Sequence, residues 1–587
     1  MTATTMTAGP LPRRVELALV AALLLFFVIT GWLSAAQMSL TADEAAHIPA
    51  GLALLQQRDT RLNPEHPPLM KLAAAAPLAL AGYRADYGSP LFRGTKRPYE
   101  FAFADQFLVS LGPGNIQHPL MLARAPMLLL SAFGGLLVWL CGRRLFGPLA
   151  GVTALLLYAT APFYLGYFPL VTNDSWVAIF TLASVLAFAS MVSRPGWFAV
   201  AIFGLALGCA LLSKFSALAL LPALLFARVA LPRTNADARR PRFPFLSGCA
   251  IAFVLVVIVY WAACNNTWAP SLLRVRMVQP VYSDTLPKAA LIGQRYAAWL
   301  TAHPHTASFT NPANLYLTGV LSLFVDFGRP AFLLGKIYPH GTWAYFPVLY
   351  ALKASIATQL ASLLLVIFLI WNFKEGTTGR LRALLSRDLP LLTAVLCAEA
   401  VFILGGFASS LQIGLRHMSP ALLLSLPLIC GFVPLMEAFA GERHTRTACG
   451  ALAAMAIFTA VSSYPEYIPY FNALRGPVPK QMIASDSNVD WGQQLIEIEH
   501  YRASHGIVDP LVLTLEFYPP DLYVTGAQKA PSFDCRFPGP LAGKWIFLGA
   551  DELAIDPTCG YLAPYRQDVI ANGSVFVYHL PQASSSR

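Results

Sequence analysis

Two adjacent carboxylates, Asp43 and Glu44, follow the first hydrophobic segment in the run Ser39-Leu40-Thr41-Ala42-Asp43-Glu44. Spanning a bilayer does not require two acids where the chain leaves it. A carboxylate at that boundary can serve as a general base facing a membrane-embedded cavity, taking the proton of an acceptor hydroxyl as it attacks the anomeric carbon of a sugar. Thr41 and Glu44 also have the spacing of a capping box, in which side chains satisfy the first backbone donors of a helix. The two readings are compatible, with Glu44 capping and Asp43 left for chemistry.

Four further groups carry chemistry-bearing residues. Asn63-Pro64-Glu65-His66-Pro67-Pro68-Leu69-Met70-Lys71 reads as a proline-initiated helix with polar flanks. Asp43, His47, Glu65 and His66 offer donors to a divalent cation, although their spacing matches no zinc signature. Asp174, in Val171-Thr172-Asn173-Asp174, opens a span and needs no role beyond capping it. Lys214 lies between two short apolar segments, where an ammonium is costly unless it meets an anion or water. A lipid phosphate is one partner for it, and snorkelling to the interface is the alternative. Arg416-His417 is a basic pair at the end of a span, and the arginine fork matches phosphate oxygens. Asp486-Ser487-Asn488-Val489-Asp490-Trp491-Gly492-Gln493 imitates calcium-loop spacing, but Trp491 stands where that loop requires glycine. It reads as a surface turn or as a sugar-binding motif of carboxylates, amide and indole. No residue is assigned to a metal, no cofactor is assigned with certainty, and a divalent cation stays an open alternative.

The elements that must position these groups are membrane spans. Of 587 residues 56% are hydrophobic and 12% charged, about half the charge of a soluble domain. Apolar runs of about 20 residues recur, enough to cross a ~30 Å hydrocarbon core. Spans are expected at about 15–37, 119–141, 148–167, 174–192, 197–212, 215–231, 245–263, 346–372, 389–407, 420–437 and 447–463. The first is long for a signal sequence, and no convincing cleavage site follows it. The net charge of +11 fits basic loops on one side of the membrane, and nothing resembles a nucleic-acid-binding pattern. Arg13-Arg14, Arg143-Arg144, Arg194, the group Arg233, Arg239, Arg240 and Arg242, the group Lys374, Arg380, Arg382 and Arg387, and Arg443 with Arg446 fall in alternate loops. Those loops, and the N-terminus, are expected to be cytoplasmic.

The opposite side then holds loop 38–118, loop 264–345 and the tail 464–587. The first loop is expected to carry juxtamembrane helices at 43–57 and 66–83. In the tail, Leu511–Leu515, Trp545–Leu548 and Ser574–His579 read as strands and Ile496–Ala503 as a helix of a small α/β domain. The division is thus a transmembrane module, 1–463, and a C-terminal extracytoplasmic domain, 464–587. Seven cysteines lie in or beside apolar segments, and Cys535 and Cys559 in the tail can pair if that tail is extracytoplasmic.

In this order and at these positions, the motifs resemble the GT-C superfamily of membrane glycosyltransferases. More narrowly they resemble the bacterial glycosyltransferase family 39, akin to protein O-mannosyltransferases and to the aminoarabinose transferase of lipid A. Asp43-Glu44 resembles the family's acidic pair, whose Asp is taken as the base. His66-Pro67-Pro68-Leu69-Met70-Lys71 resembles its HPPLGK segment, with Met70 in place of Gly. Asn173-Asp174 resembles its second acidic site, and Gly208 to Lys214-Phe215 and Gly414-Leu415-Arg416-His417 with Pro420 resemble two further segments. Ser463 to Asn472 and Asp486 to Gln493 look like the C-terminal region of many bacterial members.

The resemblance implies an inverting sugar transfer from a polyprenyl-phosphate-linked donor to an envelope glycan, lipid or protein at the outer face of the bacterial cytoplasmic membrane. It implies Asp43 and Glu44 at the chemistry and Lys214, Arg416 and His417 on the donor phosphate. His66, Lys71, Asp174, Asp486, Asn488, Asp490 and Trp491 would contact substrate. A lipid or solute transporter and a non-catalytic assembly protein of an envelope polysaccharide system are the competing readings. The paired broken helices of a transporter are not visible in the sequence.

Overall fold

The computed structural model describes residues 11–93, 99–231, 243–278, 288–324, 330–374, 385–515, 518–529, 535 and 543–582. The basic residues Arg233, Arg239, Arg240, Arg242, Arg380 and Arg382 lie outside them.

The protein is a polytopic helical membrane protein. Among the described residues seven helices are long and apolar enough to cross a bilayer: Arg13–Ala36, Gln117–Phe146, Asn173–Ser193, Pro244–Cys264, Leu389–Ala408, Leu415–Ala440 and Glu442–Ser462. A further apolar pair, Tyr345–Lys353 and Ile356–Asn372, is bent by 110°, the form of a broken span or a re-entrant loop. Three regions expected to span form shorter apolar helices, Pro148–Thr160, Trp197–Leu211 and Phe215–Ala230. Proline explains the first: Pro162 follows Ala161, which is extended, and starts a separate helix, Pro162–Tyr167. Phe253, Ile258 and Trp261 stand exposed on Pro244–Cys264, a face that lipid satisfies and water does not.

One end of the bundle carries the remaining structure. Helices Ala42–Gln57 and Pro68–Leu80 form there, near the expected 43–57 and 66–83. They pack closely because Gly51 has no side chain: a Cβ there would strike the backbone carbonyl of Lys71. At the same end Ala269–Val278, Lys288–Ala302 and Asn311–Leu323 pack as a helical group. A hairpin follows, β1 Ala331–Leu333 antiparallel to β2 Lys336–Tyr338.

The tail ends in a five-stranded mixed sheet of order β4-β3-β5-β7-β6. β3 (Leu511–Leu513), β5 (Trp545–Gly549) and β7 (Val575–His579) are its centre, at the three expected strands. β4 (Gln528–Lys529) and β6 (Arg566–Ile570) are polar edges that apolar alternation does not reveal. β3 runs parallel to β4 and β5, and β7 antiparallel to β5 and β6. Helix Leu495–Ser504 precedes the sheet, and Cys535 and Cys559 form a disulfide. Residues between the last span and that helix lie against the bundle. Ser39 N–H donates to the Gln493 carbonyl and Ala42 N–H to that of Trp491, each at 3.0 Å, and Asn472 N–H donates to Leu352 at 2.8 Å.

Candidate active site

The two acids divide their labour at the start of one helix. Glu44 Oε2 accepts from the backbone N–H and the hydroxyl of Thr41 at 3.0 and 2.9 Å, the capping box its spacing predicts. It also meets Arg124, from the second turn of span Gln117–Phe146. Arg124 Nε donates to Glu44 Oε1 at 2.8 Å and Nη2 to Oε2 at 2.6 Å, and Val171 N–H adds 3.0 Å to Oε1. The Arg124 fork donates further to the carbonyls of Ala35, Met38 and Ser39. Burial pushes the Glu44 carboxyl up, and Arg124 with the backbone donors more than offsets this, holding it below the usual carboxylate range. Both side chains are sealed from solvent, so Glu44 fixes the loop and shows no face to a substrate. Sequence reasoning missed Arg124. Its signal was available, an arginine inside an apolar span.

Asp43, one residue earlier, points the other way. Its side chain keeps 30% of its accessibility, and Oδ2 accepts from Arg416 Nη1 at 2.7 Å. The same Nη1 donates to Asp174 Oδ2 at 2.9 Å, and Lys214 Nζ donates to Asp174 Oδ1 at 2.6 Å. Asp43, Arg416, Asp174 and Lys214 thus form one chain of alternating charge, brought from four separate elements. Asp174 sits at the start of Asn173–Ser193, where Thr172 caps it. Lys214 is extended at the break after Trp197–Leu211, and Arg416 stands on a tight turn opening span Leu415–Ala440. Among the described residues Arg416 Nη2 makes no hydrogen bond and Lys214 makes only the one to Asp174. Donors therefore remain on both cations for a further anion. His417 lies near Asp174.

The tail closes over Arg416. Ser487 Oγ accepts from Arg416 Nε at 2.9 Å, and the indole of Trp491 lies 4.2 Å beneath the guanidinium carbon. Gly414 makes room, since a Cβ there would strike Ser487 Oγ. Asn488 Oδ1 accepts from Leu415 N–H at 3.1 Å, and its carbonyl accepts from the buried Lys353 ammonium at 2.6 Å. Asn488, Asp490 and Trp491 are buried, unlike a surface turn or a sugar-stacking platform, because their polar atoms knit the tail to the bundle. Asp486 is half-buried; its backbone N–H serves the carboxylate of Asp551. Burial and the neighbouring acids Asp490 and Asp486 push Asp551 well up, and burial pushes Asp490 up to about 6.

Of the proline-rich segment, Lys71 is buried and ties its own loop, donating to the carbonyls of Asn63 and His66 and to Asn63 Oδ1. His66 meets His47 edge to face, ring centres 5.2 Å apart. Burial lowers His47 to about 4. Burial first, then His47, Lys214 and Lys71, hold His66 well below its ordinary value. Both rings are neutral near pH 7. Among the described residues the one group of three ligating side chains whose donor atoms all fall within 4.8 Å of one another is Cys535, Asp556 and Cys559. Its two sulfurs are joined to each other. Asp43, His47, Glu65 and His66 do not form such a group.

Residues 109–261, which include Arg124, Asp174 and Lys214, match the family described as dolichyl-phosphate-mannose-protein mannosyltransferase. No curated protein sequence gives a significant match. Solved structures give distant likenesses. The chain is similar to ArnT from Cupriavidus metallidurans in the apo state at 12% identity, covering 96% of this chain and 97% of that one, with a TM-score of 0.41. It is similar to the oligosaccharyltransferase AglB from Archaeoglobus fulgidus, in complex with an inhibitory peptide and a dolichol-phosphate, at 12% identity, 92% and 69% coverage and a TM-score of 0.43. To the Saccharomyces cerevisiae protein O-mannosyltransferase Pmt1-Pmt2 complex it is similar at 17% identity over 43% of its length, with a TM-score of 0.29. It spans 33% of the yeast chain.

Proposed function

We propose that the protein transfers a sugar from a polyprenyl-phosphate-linked donor to an acceptor hydroxyl, with inversion at the anomeric carbon. The observation that carries this reading is the position of Asp43. It is the partly open carboxylate at the end of an ion chain whose two cations keep unused donors. The donor's phosphate fits Arg416 Nη2 and Lys214 Nζ. The acceptor oxygen bonds to the anomeric carbon from the opposite face while the bond from that carbon to the phosphate oxygen breaks. Asp43 takes the acceptor's proton, and the polyprenyl phosphate leaves with the electron pair of the broken bond. Two fixed cations stabilise the charge that develops on it, so the leaving group needs little protonation. Glu44 has no part in these steps; it holds Asp43 in place.

The break between Trp197–Leu211 and Phe215–Ala230 keeps Lys214 where a lipid-borne phosphate can reach it. The basic loops support a cytoplasmic N-terminus and an active site with its sheet domain at the outer face of a bacterial cytoplasmic membrane. The test is discharge of radiolabelled polyprenyl-phosphate sugars by the purified, reconstituted protein with a membrane extract as acceptor. Asp43→Asn is expected to lower transfer by about 100- to 10,000-fold, the range for a lost general base, without loss of folded protein. Equal discharge by wild type and variant removes Asp43 from the chemistry.

A further inference from the structure

Apart from the ion chain, the tail buries a second group of acids. Asp490 and Gln494 belong to the segment that closes over Arg416, and Asp551 with Glu552 opens the short helix Ala550–Ile555 that follows β5. Asp490, Gln494 and Asp551 are 0%, 0% and 4% exposed. The two pieces meet at Gly549, where a Cβ would strike Asp490 Oδ2. The turn Asp486–Asp490 links them further: Asp490 N–H donates to the Asp486 carbonyl at 3.2 Å, and Asp486 N–H serves the Asp551 carboxylate. Gly492 N–H donates to Asp490 Oδ1 at 3.1 Å, Gln494 Nε2 donates to the same oxygen, and Leu515 N–H also acts on this carboxylate. Among the described residues neither Asp490 nor Asp551 has an ion-pair partner.

Three buried oxygens here have no hydrogen-bond partner among the described residues: Asp490 Oδ2, Asp551 Oδ1 and Gln494 Oε1. The amide is independent of the acids and points the same way. Its nitrogen is held on Asp490 Oδ1, so its oxygen, on the same carbon, stays beside the acids with no donor to meet. Turning the amide round would set its oxygen against a carboxylate. Acceptors buried together and unanswered are costly, and folded proteins keep few of them unless something else completes the set.

We infer that Asp490, Asp551 and Gln494 hold a calcium ion, which fastens the sheet domain to the segment carrying Ser487 and Trp491. Every donor is an oxygen, which selects a hard cation over zinc. Two carboxylates and one amide oxygen are fewer than the about six to eight oxygens calcium takes. Water and the acids beside Asp551, Asp486 and Glu552, are the further donors. Calcium tolerates so uneven a shell, whereas magnesium demands a near-ideal octahedron. The set is not the contiguous loop that the spacing of Asp486, Asn488 and Asp490 imitates. Asn488 uses its side chain on Leu415 and Tyr345, and Asp551 comes from beyond β5. Without the ion, one of the two acids keeps a proton, so proton and calcium compete for one place. The inference does not depend on the transfer reading.

The experiment measures binding of radiolabelled calcium, and thermal unfolding, on the full-length protein in detergent at neutral pH. Asp551→Asn and Asp490→Asn are tested separately. Wild type is expected to bind one calcium ion more than either variant, with half-saturation at about 0.1–1 mM, the range of extracellular modules. Excess calcium should raise its thermal midpoint by about 2–4 °C, and the same concentration of magnesium should raise it much less. In chelator each variant should unfold no more readily than wild type, because a contact between like charges is gone. If one variant does not fold, the other, and the comparison of calcium with magnesium on wild type, decide the result. No effect of calcium on wild type, the same calcium response in wild type and variants, or an equal response to magnesium overturns the inference. None of these outcomes bears on the role of Asp43.

Discussion

Replacing Glu44 by glutamine separates the two carboxylates. The substitution keeps the length of the side chain and removes its charge. Arg124 would then be a sealed cation whose remaining partners are three carbonyls and an amide. One terminal amide cannot accept from Arg124 Nε, Arg124 Nη2, Thr41 N–H and Val171 N–H together, as the carboxylate does. Side-chain accessibilities of 1% for Arg124 and 0% for Glu44 leave no solvent to soften the loss. Breaking a buried pair by removing one partner costs about 3–5 kcal/mol, a large part of a total stability of roughly 5–15 kcal/mol. The assay is unfolding in mixed micelles, with transfer measured per folded molecule. Glu44→Gln should unfold far more readily, and Arg124→Met should do the same. The double variant should lose less than the two losses added together, because neither charge is then stranded. Transfer per folded molecule should fall much less than with Asp43→Asn. A Glu44→Gln protein of wild-type stability that has lost turnover would refute the division and put Glu44 in the chemistry.

Two further outcomes follow from the same geometry. Arg416→Lys keeps the charge but loses the Nε bond to Ser487 and the planar face on Trp491; turnover should fall by about 100-fold or more, and steady-state kinetics with a single labelled donor would detect it, while an unchanged rate would show that a point charge suffices. The tail's grip on the bundle should depend on pH through Asp490. Its folded carboxyl is raised to about 6 from an ordinary 3.8, so between those values the folded state holds the extra proton and stability falls as pH rises. The thermal midpoint should therefore be higher at pH 5 than at pH 7, and Asp490→Asn should reduce that difference.

The capping spacing of Thr41 and Glu44 made the division of the acid pair legible in the sequence, because a local motif carries its own geometry. Its partner was not legible. Arg124 lies 80 residues away, and an arginine in a span announces cost without naming what offsets it. Asp486–Gln493 was legible as a dense polar run but not as a buried one. Polar density marks either a solvated turn or a satisfied internal network, and only the packing of Trp491 under Arg416 decides between them. Lys71 shows the same limit: its position in the motif was readable, its engagement by its own loop was not. In the tail the apolar alternation located β3, β5 and β7, whereas β4 and β6 are polar edges whose strand character comes from their neighbours.

The burial of Arg416 explains why the chain carries its tail against the bundle. A guanidinium with 5% of its side-chain accessibility left is expensive unless most of its donors and its charge are answered. Two carboxylates answer Nη1, Ser487 answers Nε, and Trp491 answers the ring-like face. Two of these four partners come from the segment that leads into the sheet domain, beyond the last span. That segment is itself held from the bundle side by Lys353 on the Asn488 carbonyl and by Tyr167, whose hydroxyl donates to the Ser487 carbonyl. The arginine is therefore held by its neighbours, with Nη2 left for the donor phosphate of the proposed transfer. A cation that need not reorganise when the phosphate departs stabilises that departure more than a mobile one does. Under the proposed transfer, docking of the tail and competence of the site are then a single structural event, and removing the segment after the last span should leave the motifs of the site but not its geometry.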